Sequence, residues 1–252
     1  MNHLLKFVQF YKMVKESDVL AIDKLIKESN VNFPLKQIKY NEFIFNCLPN
    51  FKENETCPFC LENLYKIKNP LITIELNNEY YFLKIKENQI LNQHFEISNL
   101  RHTDALFDIN HFKLLLEIFP SFMVIYSRSN HIHYDLGLID SLISNKDATQ
   151  YFNNVYLVDW HLETYLIKEK DFDDLIDEYE NLNKKISIKN KTYLSFKRGN
   201  KYYLYIIIHN ENVTSFEALG IFNFENKYNS LSNLYNDGLN KISQSKKTSP
   251  NN

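Results

Sequence analysis

The run FMVIYSRSNHIHYDLG, Phe122–Gly137, reads as two short strands joined by a turn at Ser127-Arg128-Ser129-Asn130. Side chains alternate along a strand, so His131, His133 and Asp135 share one face of the second strand. Ile132, Tyr134 and Leu136 take the opposite face, which suits a hydrophobic core. Three polar, chemically capable side chains on one strand face set the expectation of a site built on a sheet.

Working outward, Cys57-Pro58-Phe59-Cys60 lies upstream in a loop rich in Asn, Glu and Pro, and Arg101-His102 lies between it and the strand. Two cysteines two residues apart, with two histidines far downstream, have the composition of a zinc tetrad. His94 is a rival ligand, but its place on the strand His94–Ser98 fits a core histidine better. A histidine beside such a tetrad can act as a nucleophile. Cys47 reads as a half-buried strand residue and the thiols as belonging to a reducing, cytoplasmic compartment.

The chain alternates helix and strand. Helices are expected over residues 2–15, after Ser17, over 104–118 with Asp104 as N-cap, over 171–184 and over 231–242. Strands are expected over 37–47, 71–76 and 80–86 as a hairpin, 94–98, 155–160, 192–197 and 201–208 as a second hairpin through Arg198-Gly199-Asn200, and 218–224. No Gly-, Ser- or Pro-rich linker divides the chain. We expect one compact α+β unit, open to being built from two similar lobes. Its expected parts are a helical segment at 1–33, a first lobe at 34–145, a second, degenerate lobe at 146–242 and a polar, disordered tail at 243–252.

Composition narrows the function classes. Among 252 residues there are only 4 glycines, so a glycine-rich phosphate loop is excluded. The formal net charge of −2 gives no electrostatic case for nucleic acid. No stretch approaches the roughly 18 consecutive apolar residues of a membrane span. The acidic residues of 171–180 and the lysines between 184 and 201 read as solvated faces. His111, His161 and His209 have no partners in sequence and read as structural.

The order CxxC, strand, Arg-His, helix, strand, HxH resembles the histidine-triad superfamily. Within it, the closest likeness is to the branch of galactose-1-phosphate uridylyltransferases and dinucleoside-polyphosphate phosphorylases. Ile90–His102 is similar to that branch's strand and following histidine, and Ser129-Asn130-His131-Ile132-His133 to its catalytic strand. The resemblance covers residues 35–140 and implies a HIT-like antiparallel sheet with flanking helices. It implies zinc held by Cys57, Cys60, His102 and His131. It also implies that His133 attacks a nucleotide α-phosphate, forming a nucleotidyl-histidine intermediate. Arg128, Ser129, Asn130 and Asp135 then belong to the substrate site. The implied substrate is a nucleotide sugar or dinucleoside polyphosphate, and a homodimer is left open.

Two features depart from the family pattern. The turn before HxH is short, and the third triad position holds Asp135 where the family has His or Gln, which donate to phosphate. An ionised Asp only accepts hydrogen bonds. Together they support an alternative, a binding or scaffold protein that keeps the zinc site without catalysis.

Overall fold

The computed structural model describes residues 36–47, 72–76, 79–86, 90–99, 107–128, 132–138, 143–186, 190–224 and 230–246. The helices expected before residue 33 lie outside these residues, as do Cys57, Cys60, His102, Ser129, Asn130 and His131. Within the described residues, a ten-stranded sheet forms the body of the molecule. Its strands are β3 (Ile72–Leu76), β4 (Glu79–Ile85), β5 (Asn92–Ser98), β6 (Met123–Arg128), β7 (Ile132–Leu138), β8 (Ala148–Phe152), β9 (Val155–Val158), β10 (Thr164–Glu169), β11 (Lys191–Arg198) and β12 (Lys201–Ile208). Two helices interrupt the strands, α1 (Ile109–Ile118) after β5 and α2 (Phe172–Lys185) after β10.

The spatial order is β3-β4-β5-β7-β6-β11-β12-β10-β9-β8. Read from either edge inward, each half is three strands in sequence, a helix, then a hairpin whose second strand joins the third. The two halves therefore have the same topology. They meet through β6 and β11, which pair antiparallel at Tyr126↔Tyr193, Ile125↔Leu194 and Val124↔Ser195.

Both faces of this sheet are covered. On the first face, Ile132, Tyr134 and Leu136 of β7 pack with Phe112 and Leu115 of α1, and Leu175 and Leu182 of α2 complete the same core. Each helix is started by an aspartate whose carboxylate accepts a backbone N–H, Asp108 for α1 and Asp171 for α2. The helix expected from Asp104 therefore begins at Ile109, with the N-cap four residues later.

On the second face a smaller sheet supplies the cover. It comprises β1 (Lys36–Tyr40), β2 (Phe43–Cys47) and β13 (Ile221–Phe224), with β13 parallel to β2. The single strand expected over 37–47 is thus a hairpin, turned at Asn41, whose φ is +52°. Phe43, Phe45 and Phe222 of this sheet pack with Met123, Ile125, Leu166 and Leu194 of the large one. The short helix α3 (Ser215–Ala218) and the final helix α4 (Leu231–Lys246) close this side. The strand expected from Ala218 starts only at Ile221, because Thr214 and Glu217 form a reciprocal capping box that makes 215–218 helical. Helix α4 continues to Lys246, past the start of the expected polar tail. Among the described residues, no helix is long and apolar enough to cross a membrane.

Candidate functional site

The first half of the sheet carries a buried ionic cluster on its second face. Its members come from three neighbouring strands and the residue after β4. In register, Lys84 of β4 lies opposite Glu96 of β5, and Glu96 opposite Asp135 of β7. Opposed residues in an antiparallel pair point to the same face, so the pairing itself gathers Lys84, Glu96 and Asp135. His94 and His133, each two residues away on its own strand, join them. Asp135 is 1% exposed and Glu96 6% exposed, so neither carboxylate is a surface group.

Each charge has an opposite charge at contact distance. Lys86 Nζ donates to Asp135 Oδ1 at 2.9 Å. Lys84 Nζ meets Glu96 Oε2 at 3.0 Å, and Lys86 Nζ lies 3.8 Å from Glu96 Oε1. The His94 ring is fully buried, and its tautomer follows from its neighbours. Nδ1 accepts the backbone N–H of Ile90 at 3.0 Å, so Nε2 carries the proton and donates to Asp135 Oδ1 at 2.7 Å. Burial, and then the charge of Lys86, hold His94 below the usual histidine range, which agrees with a neutral ring.

His133 stands at the rim of the cluster, with 16% of its side chain exposed. Its Nε2 is turned inward, 2.9 Å from Glu96 Oε1 and 3.5 Å from Asp135 Oδ2. The Nε2 atom itself is buried, so its contact with the two carboxylates is shielded from solvent. Burial opposes charge on this ring, but the carboxylates of Asp135 and Glu96 outweigh it and push His133 up to about 9. The ring is therefore a cation at neutral pH. Burial also opposes charge on the two acids. For Glu96 it is outweighed by Lys86, His133 and Lys84, and for Asp135 by Lys86 and His133, so both are held below the usual carboxylate range.

A carboxylate on one ring nitrogen does two things. It fixes the ring's orientation, and it stabilises positive charge on the ring whether that charge comes from a proton or from a bond to phosphorus.

Glu96, His133 and Asp135 also offer three ligand atoms within 4.8 Å of one another. Two ammonium groups, of Lys84 and Lys86, already neutralise the carboxylates that would attract a metal ion. The group fits a salt network better than a metal cradle.

Of the residues singled out from sequence, the structure brings His133 and Asp135 together in the cluster. Asp135, expected at the substrate, lies beneath His133 in contact with Lys86 and His94. The face it shares with His133 is not open, as the strand alternation alone suggests, but covered by a second core. Ser127 and Arg128 belong to β6 rather than to a turn. Glu96, Lys84 and Lys86 escape a sequence reading because the pairing that brings them to His133 is long-range. The available signal is Lys84-Ile85-Lys86 and His94-Phe95-Glu96, charged residues alternating with apolar ones in strands otherwise rich in hydrophobics.

Comparison with known proteins adds a fold. No family model matches the sequence. No curated protein matches it significantly either. Among solved structures, the crystal structure of yeast Ap4A phosphorylase Apa2 in complex with AMP superposes with a TM-score of 0.56 at 14% identity, over 88% of this chain and 94% of that one. The same yeast enzyme in complex with Ap4A superposes with a TM-score of 0.55 at 13% identity, again over 88% and 94%. The match spans both halves of the large sheet. At this identity it is a likeness of fold, and the HIT-like α+β fold expected from the sequence is the fold found.

Proposed function

We propose that the chain is a nucleotidyl phosphorylase or transferase acting on a dinucleoside polyphosphate or nucleotide sugar, with His133 as the group that takes the nucleotidyl unit. The observation that carries this reading is a rim histidine held by a buried carboxylate, in a fold shared with an enzyme named for Ap4A phosphorolysis. Nδ1 of the neutral ring attacks the α-phosphorus, and the bond from phosphorus to the leaving polyphosphate oxygen breaks. The Nε2 proton stays against Glu96, whose charge offsets the positive charge the ring acquires. A phosphate or sugar-phosphate oxygen then attacks phosphorus and the P–N bond breaks, which frees the ring. The same carboxylates favour the protonated resting ring, so only about 1% of rings are neutral two pH units below the ring's value.

The test is a search for the adduct. Wild-type chain incubated with Ap4A should give an acid-labile mass increment on the peptide carrying His133, and added phosphate should discharge it. His133→Ala should show neither the increment nor turnover. Wild-type protein that binds the nucleotide yet gives no adduct and no phosphate-dependent cleavage would sink the reading.

That outcome would favour a second reading, a nucleotide-binding protein without turnover. The cationic state of His133 and the acceptor-only Asp135 speak for it, because a cationic ring binds phosphate but does not attack it. We also propose Cys57, Cys60, His102 and His131 as zinc ligands, on residue type and order. Bound zinc would brace the segments around the site, and no step of the reaction passes through it. About one zinc per wild-type chain, absent from Cys57→Ser/Cys60→Ser, is the expected metal analysis.

A further inference from the structure

The two halves of the sheet provide an internal control for the ionic cluster. Ile125 and Leu194 face each other at the centre of the β6–β11 pairing, so they are equivalent positions. From them the register runs outward identically. Ile125 lies opposite Asp135, Asp135 opposite Glu96 and Glu96 opposite Lys84. Leu194 lies opposite Tyr205, Tyr205 opposite Leu166 and Leu166 opposite Tyr156. Asp135, Glu96 and Lys84 in one half thus correspond to Tyr205, Leu166 and Tyr156 in the other. Steps of two residues along the same strands match His133 with Tyr203, His94 with Thr164 and Lys86 with Val158.

Every ionisable acid, base or histidine of the cluster therefore has an aromatic, aliphatic or threonine partner in the second half. Four of those partners, Leu166, Tyr205, Thr164 and Val158, are buried, and Lys168 lies over the half-buried rings of Tyr156 and Tyr203. Leu166 and Tyr205 are buried in the second core, and Phe196 stacks on Tyr203 at 5.0 Å with planes 10° apart. The fold closes without buried charge at these positions. Burying an ion pair gains little stability over apolar packing of the same volume. The charges are accordingly not explained by the needs of the sheet, and the two carboxylates they pair with, Glu96 and Asp135, both face the ring of His133.

We propose that Glu96 is the positioning residue for His133, with Lys84 as its ion-pair partner and Asp135, anchored by His94 and Lys86, as the second wall. Glu96 holds Nε2–H inward and so fixes which way the ring faces. Neither Glu96 nor Lys84 touches the reacting phosphorus. They act through the ring, by orienting it and by offsetting its charge. This assignment deepens the nucleotidyl-transfer reading but does not need a substrate to be tested.

The experiment transplants the second half's pair into the first. Lys84→Tyr/Glu96→Leu copies Tyr156 and Leu166 at the equivalent register. The full chain, with ¹⁵N-labelled histidine, is compared with wild type by long-range ¹H–¹⁵N spectra of the ring. In wild type the Nε2 proton of His133 should give a slowly exchanging signal, identified by its loss in His133→Gln. In the double variant the fold should persist, as judged by circular dichroism and thermal melting, and the slow signal should disappear. With an active substrate, kcat should fall roughly 100-fold while KM changes little, because orientation of the reacting ring is lost and the nucleotide's binding contacts are kept. A folded double variant that retains the slow Nε2 signal overturns the assignment. So does a double variant that fails to fold, since the charges would then serve the sheet. Loss of the signal in a protein whose wild type forms no nucleotidyl adduct would support the positioning role and count only against the nucleotidyl-transfer reading.

Discussion

His111 shows how a histidine with no partner in sequence acquires one in the fold. It sits on the buried face of α1, 4% exposed, with Nδ1 2.7 Å from the hydroxyl of Tyr134 and Nε2 3.6 Å from Asp108. Burial holds its pKa below the ordinary value of 6.5, against the smaller opposing pull of Asp108 and Glu79. The sign of the consequence follows from proton uptake. Below 6.5 the unfolded chain protonates this ring while the folded chain does not, so the unfolded state binds more protons. The stability associated with the neutral ring is present above 6.5 and is lost as pH falls toward the lower folded value. His111→Phe removes both the titration and the partner of a buried hydroxyl, which costs about 1–3 kcal/mol at pH 8. The stability gap between wild type and variant should narrow as pH drops from 7 to 5. Urea unfolding at several pH values checks it, and a gap that stays constant or widens would contradict the buried neutral ring.

At the scale of elements, the join between α3 and β13 is a close-packed point of the second core. Gly220 makes it with φ at +78°, its N–H bonded to the carbonyl of Glu217 and its carbonyl accepting from Ile44 of β2. A Cβ at this position would stand 3.0 Å from Phe43 Cδ1 and 3.0 Å from Trp160 Cζ2. Trp160 has little freedom to yield, because its Nε1 donates to the carbonyl of Ala218 at 2.9 Å. Gly220→Ala should therefore cost about 2–4 kcal/mol, combining left-handed strain with overpacking. Gly199 has φ at +61° in an open turn between β11 and β12, with nothing within 4 Å of the added atom. Gly199→Ala should cost only about 1 kcal/mol. Thermal melting of both variants checks the pair, and equal losses would mean that contact with Phe43 and Trp160 is not what tightens the join.

The same elements mark how far sequence pattern reaches. The hairpins β3–β4 and β11–β12 are legible because apolar alternation and a turn signal coincide, as at Arg198-Gly199-Asn200. Helix α2 is legible from Asp171 and its acidic first turn. Strands β8 and β10 are not. β8 is an edge strand whose residues 148–151 are exposed, so it lacks an apolar signal. β10, Thr164–Glu169, is a short apolar run between polar residues, and the pairing with β9 and β12 is what makes it a strand. Of the site, His133 and Asp135 are legible from alternation in one strand. Glu96, Lys84 and Lys86 become neighbours only through the pairings β4–β5 and β5–β7, and no periodicity within one strand reports those.

Across the whole molecule, two halves of one topology carry unequal chemistry. A sheet built as a repeat presents two equivalent places for a reacting group, and β7 and β12 occupy them. β7 offers His133 over Glu96 and Asp135, whereas β12 offers Tyr203 over Leu166 and Tyr205. Leu166 and Tyr205 offer Tyr203 no carboxylate of the kind that Glu96 and Asp135 offer His133. Burial holds the neighbouring Tyr205 hydroxyl up to about 12, so it stays protonated at neutral pH. On the nucleotidyl-transfer reading proposed above, labelling should saturate at one nucleotidyl group per chain. Intact-mass measurement after incubation with saturating Ap4A, before phosphate is added, should show a single increment that rises no further with time or concentration. His133→Ala should abolish it, and Tyr203→Phe should leave it intact. A second increment per chain, or one that survives His133→Ala, would place a reacting group in the second half and break the division of labour between the lobes.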